Sequence, residues 1–165
     1  MISEIDFPTG TSVNGKESEH FFRDSFLVRV SREGLQAKQV YHGIFGYLPK
    51  SVRLALKLRN SVMKWFGFSA SNTEMSLPLD DIKAGNKAGF LTIEQVSDKE
   101  VVCGAYEKNM DMWLSVMRLS DTEFAVSTLV NLKTRSGKLY MAAIKPFHKF
   151  VATYSIKQAL IAGRI

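Results

Sequence analysis

One arginine sits where a hydrophobic residue belongs, and it offers more chemistry than any other side chain in the sequence. Residues 48–68 read LPKSVRLALKLRNSVMKWFGF. A helical step places Val52, Ala55, Leu56, Leu58, Val62, Met63, Trp65 and Phe66 on one broad apolar arc, and Lys50, Arg53, Lys57, Asn60, Ser61 and Lys64 opposite. Arg59 falls inside the apolar arc. A guanidinium keeps its charge when buried, so it needs a partner. Three arrangements satisfy it. It pairs with Glu94, Glu107 or Asp111 and braces the helix to a sheet. It snorkels past the edge of the core. Or its planar fork holds a ligand carboxylate or phosphate. The brace is the favoured expectation, with a sheet carboxylate in hydrogen-bond reach.

The other candidates lie further along the chain. Asp111 and Trp113 alternate onto one face of a strand, and an acid beside tryptophan is either a desolvated general base or a solvated strand end. Glu107 lies four residues earlier, so the two carboxylates form an acid–base pair near arginine or a structural network. His148 follows Pro146 at the border of an apolar helical stripe, donating into a cavity or standing half-exposed. Tyr140 and Tyr154 on that stripe offer hydroxyls to a ligand or simply pack. Met63, Met112, Met117 and Met141 suit a forgiving apolar pocket or a filled core. The ligand-binding candidates are therefore Arg59, Glu107, Asp111, Trp113, Tyr140 and His148.

No catalytic residue is assigned. His20, His42, His148 and Cys103 are too scattered for a zinc signature, so no metal is expected. G-x-G-x-x-G, P-loop and G-x-S-x-G motifs are missing, and no cofactor is expected. Cys103, between Val102 and Gly104, reads as a small core residue.

These side chains must be positioned by one domain. The 165 residues, 45% hydrophobic and 23% charged, suffice for a single domain with a sizeable core. The single cysteine excludes an intrachain disulfide. The N-terminal MISEIDFPTG has no signal-peptide pattern and no apolar run reaches membrane-spanning length. A cytoplasmic protein is the expectation. The net charge of +6 is uneven. Lys50 to Lys64 carries five cations and no acid, and no acid follows Glu123. Basic helix faces result, suited to an anionic lipid or partner or simply solvated. No nucleic-acid module accompanies them.

Residues 1–15 mix Pro8, Gly10, Asn14 and Gly15 and read as an extended or mobile lead-in. DSFLVRVS from Asp24 alternates as a strand, with Phe26, Val28 and Val30 on one face. A short helix over 35–44 and the long helix over about 48–66 follow, with Pro49 in its first turn. Residues 69–88 read as a long loop. Four strand-like stretches (89–96, 100–107, 111–119 and 122–133) are joined by short polar links, an antiparallel meander. A long C-terminal helix carries Leu139, Tyr140, Ala143, Ile144, Phe147, Phe150, Val151, Tyr154 and Ile161 on one stripe that keeps phase across Pro146, so one kinked helix is expected. Consecutive strands followed by a helix make this α+β: a curved antiparallel sheet wrapped around a long C-terminal helix, with a preceding helix pair.

That order resembles the helix-grip fold of the START-like superfamily, which includes birch-pollen-type allergens, lipid-transfer domains and polyketide cyclases. RDSFLVRV, Leu58-Arg59-Asn60 with Phe66-Gly67, the EKNMDMWLSV strand, and Gly137-Lys138-x-Tyr140 with Pro146-Phe147-His148 resemble a narrower bacterial domain family of unknown function. It occurs alone or behind epimerase-like reductase domains, and the likeness runs from about Asp24 to Ala159. Relatives often carry His-Leu-Asp where Asn109-Met110-Asp111 stands here, so no role of that histidine transfers. The 165 residues match no reductase part, so no nicotinamide chemistry carries over from the resemblance.

The resemblance implies a cavity between sheet and C-terminal helix. A small apolar or amphipathic ligand bound there is the first expectation. An enzyme of cyclase or lyase type, with Asp111, Glu107 or His148 as acid or base, is the second. A peripheral protein binding anionic lipid or a partner through basic helix faces is the third. Oligomeric state is left open.

Overall fold

The computed structural model describes residues 1–68 and 74–165. The chain is α+β. Its strands are β1 (Ile2–Glu4), β2 (Phe21–Arg29), β3 (Lys87–Ala88), β4 (Leu91–Val96), β5 (Glu100–Tyr106), β6 (Met110–Arg118) and β7 (Glu123–Leu132). Helices α1 (Ala37–Phe45) and α2 (Lys50–Trp65) separate β2 from β3, and α3 (Arg135–Ile161) ends the chain. The strands form one curved antiparallel sheet in the order β1-β2-β7-β6-β5-β4-β3, with α3 packed against it. The helix-grip arrangement is thus present. The short links of β4 to β7 force neighbours to pair antiparallel. β2 closes on β7 with Asp24 opposite Thr128 and Phe26 opposite Val126.

Parity along the strands decides what faces the helices. Phe26, Val28, Cys103, Leu114, Val116, Phe124 and Val126 point inward and pack with Val40, Tyr41 and Ile44 of α1 and Ile156 and Ala159 of α3. The face of β6, undecided by its two apolar sides, is now fixed. Met112 and Leu114 join the helix-side core, and Met110 packs with Tyr140. Asp111, Trp113 and Ser115 face the other way.

That outer face is covered by the N-terminal segment. Val13 packs with Val102, Trp113 and Leu129. Glu100, 5% exposed, accepts hydrogen bonds from the hydroxyls of Thr11 (2.5 Å), Ser12 (2.7 Å) and Ser115 (2.6 Å) and from the Ser12 N–H (3.1 Å). Among the described residues no cation pairs with it. Four donors satisfy the carboxylate instead, which is what a buried charge requires. The first fifteen residues therefore hold a short strand and a clamped turn. Their lack of period hid this, because a segment laid across a sheet is held by individual contacts.

The N-terminus of α3 is held just as tightly. Thr134 caps it, its Oγ1 accepting from the Gly137 N–H (3.1 Å) and donating to Asn109 Oδ1 (2.9 Å). A Cβ on Gly137 would lie 2.5 Å from the Asn109 carbonyl oxygen. The helix can approach the β5–β6 turn this closely only with glycine there. It then runs through Pro146 as a single element.

The apolar arcs of the helices need correction. Helix α2 buries Val52, Leu56 and Met63, but Leu58 and Trp65, placed on its apolar arc, are exposed. On α3, Tyr140, Met141 and Ile144 are buried, whereas Leu139, Phe147, Phe150 and Ile161 of the supposed inward stripe are exposed. Both arcs are wider than the contact line a helix makes with one neighbouring layer. Residues 69–73 of the expected loop lie outside the described residues. Its remainder includes a 3-10 turn at Leu79–Asp81 and the short β3, with Met75 and Ile82 buried.

Candidate functional site

A recess of about 130 Å3 lies between the inner sheet face, α2 and α3. Phe26, Leu91, Met110, Met112, Leu114 and Val126 form its floor; Leu56, Met75, Phe90, Met141, Ile144 and Val151 stand among its walls. Among the described residues, four polar side chains reach it: Arg59, Thr128, Tyr140 and His148.

Arg59 projects from the inner arc of α2. Its Nε–H donates to the Tyr140 hydroxyl at 2.9 Å, Nη1 reaches Asn60 Oδ1 at 3.5 Å, and the guanidinium stacks 4.3 Å above the Phe90 ring. Among the described residues no carboxylate lies within ion-pair distance of it. The expected brace to a sheet carboxylate is therefore not formed. Asp111 turns away with the outer parity of β6 and pairs with Lys133 at 2.9 Å. Glu94 lies over Gly104 on the outer face and accepts from the Tyr106 hydroxyl. The tie that Arg59 makes joins helix to helix, through neutral and aromatic partners.

Tyr140 is buried, and that burial raises its hydroxyl above the usual phenol range; the Arg59 charge partly opposes this, and Glu107 adds to the rise. The phenol is therefore protonated at neutral pH. It accepts from Arg59, and its own proton has no acceptor among the described residues. A bound molecule can receive it.

At the other end, His148 Nε2 lies 3.1 Å from Asp24 Oδ2 and 3.3 Å from Oδ1. The Phe22 ring meets the imidazole edge-on at 5.6 Å. The pair ties α3 to β2, with Thr128 opposite Asp24 across the sheet. Asp24 escaped the sequence reading, although it shares strand parity with Phe26 and Val28, which places its side chain on the inner face.

Of the six sequence candidates, Arg59, Tyr140 and His148 are brought together around the recess. Glu107, Asp111 and Trp113 do not line it. Glu107 sits in the β5–β6 turn, where its carbonyl accepts from Lys133 Nζ. Trp113 donates its Nε1–H to the Tyr106 hydroxyl at 3.1 Å beneath the Lys16 ammonium. Tyr154 stacks on Phe150 away from the recess. Of the four named methionines, Met112 and Met141 line it, while Met63 fills a core cluster. Cys103 is buried beside Tyr41, and burial pushes its thiol up to about 11, leaving no thiolate nucleophile near neutral pH. Among the described residues no cluster of three His, Cys, Asp or Glu side chains is placed to hold a metal ion.

The site can therefore enclose a small apolar body with a cation and a phenol proton at one end and an imidazole–carboxylate pair at the other. The chain belongs to DUF2867, a family of proteins of unknown function whose model matches residues 18–155. No curated protein matches the chain.

Proposed function

We propose that this protein binds a small amphipathic molecule in the recess, apolar body on the sheet, anionic end at Arg59. One observation carries this reading: Arg59 reaches an apolar recess with, among the described residues, only neutral hydrogen-bond partners and an aromatic ring. A partly buried cation without a counter-charge favours an anion that brings one. The volume selects the size. Apolar cavities near 150 Å3 admit a benzene-sized guest. A recess of about 130 Å3 thus suits a single-ring or short-chain carboxylic acid. A long lipid tail would need the helices to move apart. The START-like superfamily, with its cavity-bound ligands, is the ancestry this reading favours, and a cytoplasmic setting fits it.

Native mass spectrometry of the purified protein, with added benzoate-sized acids, tests the reading. It predicts a 1:1 adduct with the acid and none with an equally apolar hydrocarbon amine. No adduct with any acid of this size would overturn it.

The His148–Asp24 pair supports a second reading, an enzyme of cyclase or lyase type. An imidazole held by a carboxylate can take a proton from a bound substrate. Of the acids and bases first considered, His148 alone borders the recess. Candidate acids should then exchange an α-proton for deuterium in heavy water in the presence of the protein. An exchange rate unchanged by His148→Gln would sink this reading.

A further inference from the structure

We propose that the outward face of α2 and α3 is a docking surface for an anionic lipid bilayer. Its basis is an exposed apolar stripe on both helices, bordered by cations on α2. Leu54 (68% exposed), Leu58 (50%) and Trp65 (91%) recur on one side of α2 at spacings of one turn and then two. Phe147 and Phe150 of α3, each 45% exposed, lie across a groove from Leu54 and Leu58. Side chains of this size are ordinary on a surface singly. Gathered along one groove they mark an interaction site.

The charge beside the stripe identifies the occupant. Lys50, Arg53, Lys57 and Lys64 recur at helical spacing on the neighbouring side of α2, and neither α2 nor α3 contains an Asp or Glu. A merely solvated helix face mixes both signs. An apolar stripe flanked by lysines and arginines, without acids, is the pattern of a helix lying in the headgroup region of an anionic membrane. No described helix is long and apolar enough to cross a membrane, so the contact is peripheral. Ala55 and Phe147 line both this groove and the recess, so the docked face is also the outer wall of the recess. The proposal stands whatever the recess holds.

Sedimentation with vesicles of phosphatidylcholine, alone or mixed with phosphatidylglycerol, tests it. Binding is expected only with phosphatidylglycerol, and it should weaken as salt rises. Trp65 reports insertion directly: its emission should shift to the blue on binding, while the other tryptophan, Trp113, is already buried. Leu58→Ser and Trp65→Ser, both at exposed positions, should each cut partitioning by about tenfold and leave thermal unfolding nearly unchanged. Lys57→Gln should weaken binding and flatten its salt dependence. The proposal is overturned by equal binding to neutral vesicles. It is equally overturned if the serine variants bind as well as the parent, or if the face instead holds two copies of the chain together and no vesicle binds.

Discussion

Arg59 donates to the Tyr140 hydroxyl across 2.9 Å, and this contact ties α2 to α3 above the recess. Neither residue has a carboxylate partner among the described residues. The pair therefore carries a positive charge in an apolar setting and a phenol proton with nothing to receive it.

Removing the acceptor should cost more than removing the charge. Tyr140→Phe leaves Arg59 a partly buried cation without its short hydrogen bond, a loss of about 1–3 kcal/mol. Arg59→Leu takes the hydrogen-bond partner from the Tyr140 hydroxyl but puts an apolar side chain on an apolar arc, and the two effects largely offset, as when buried charges are replaced by hydrophobic residues. Its effect should stay within about 1 kcal/mol of the parent. Urea unfolding of both variants checks the order; the reverse order would show that the guanidinium has a stabilising partner.

The outer clasp should fail as a unit when Glu100 is truncated. Glu100→Ala strands three hydroxyls and one amide, several of them buried. Hydrogen bonds to a charged acceptor contribute more than neutral ones, so a loss of about 3 kcal/mol is expected. Limited proteolysis should then cut within residues 5–16 of the variant and spare the parent. Equal protection of the two chains would contradict the clasp.

Two glycines with equally crowded surroundings should respond differently to alanine. A Cβ on Gly137 would meet the Asn109 carbonyl oxygen at 2.5 Å, which is backbone, so α3 must shift. Gly137→Ala should cost about 1–3 kcal/mol. A Cβ on Gly104 would meet Glu94 Oε1 at 2.2 Å, the end of an exposed side chain that can swing away. Gly104→Ala should therefore change stability by less than about 1 kcal/mol. Thermal melts of the two variants decide.

Stability should fall in alkali. Burial pushes the Cys103 thiol from an ordinary value of 9.0 up to about 11. Between these values the unfolded chain has released a proton that the folded chain keeps, so unfolding gains as pH rises. Below pH 9 this contribution is flat. Tyr41 and Tyr140, both raised chiefly by burial, extend the slope above pH 10. The urea midpoint should hold steady at neutral pH and decline above pH 9, less steeply in Cys103→Ala. A midpoint level up to pH 11 would contradict the burial of these groups.

Much of the architecture was legible in the residues. Alternation from Asp24 put Phe26, Val28 and Val30 on one face, which is the core face, and the short polar links gave the meander. The phase of the apolar positions across Pro146 gave one helix, α3. Where the reading failed, the cause lay in tertiary contacts. Both faces of β6 are apolar because the N-terminal segment covers the outer one, so parity alone could not place Asp111 and Trp113. Once β6 is placed, Asp111 is lost to Arg59 and goes to Lys133. Leu58, Trp65, Leu139 and Phe150 fit a helical stripe as well as buried residues do; only the position of the neighbouring helix turns them out. Asp24 was readable from its parity with Phe26, but its partner His148 lies 124 residues away.

The most direct test of an anion held at Arg59 is a calorimetric titration with a matched pair, a single-ring carboxylic acid and the alcohol of the same shape, against the parent and Arg59→Leu. The parent should prefer the acid by tenfold or more, since a charge-assisted bond contributes about 1.5–3 kcal/mol. Arg59→Leu should lose that preference and keep its affinity for the alcohol. An acid that binds parent and variant equally would contradict the account.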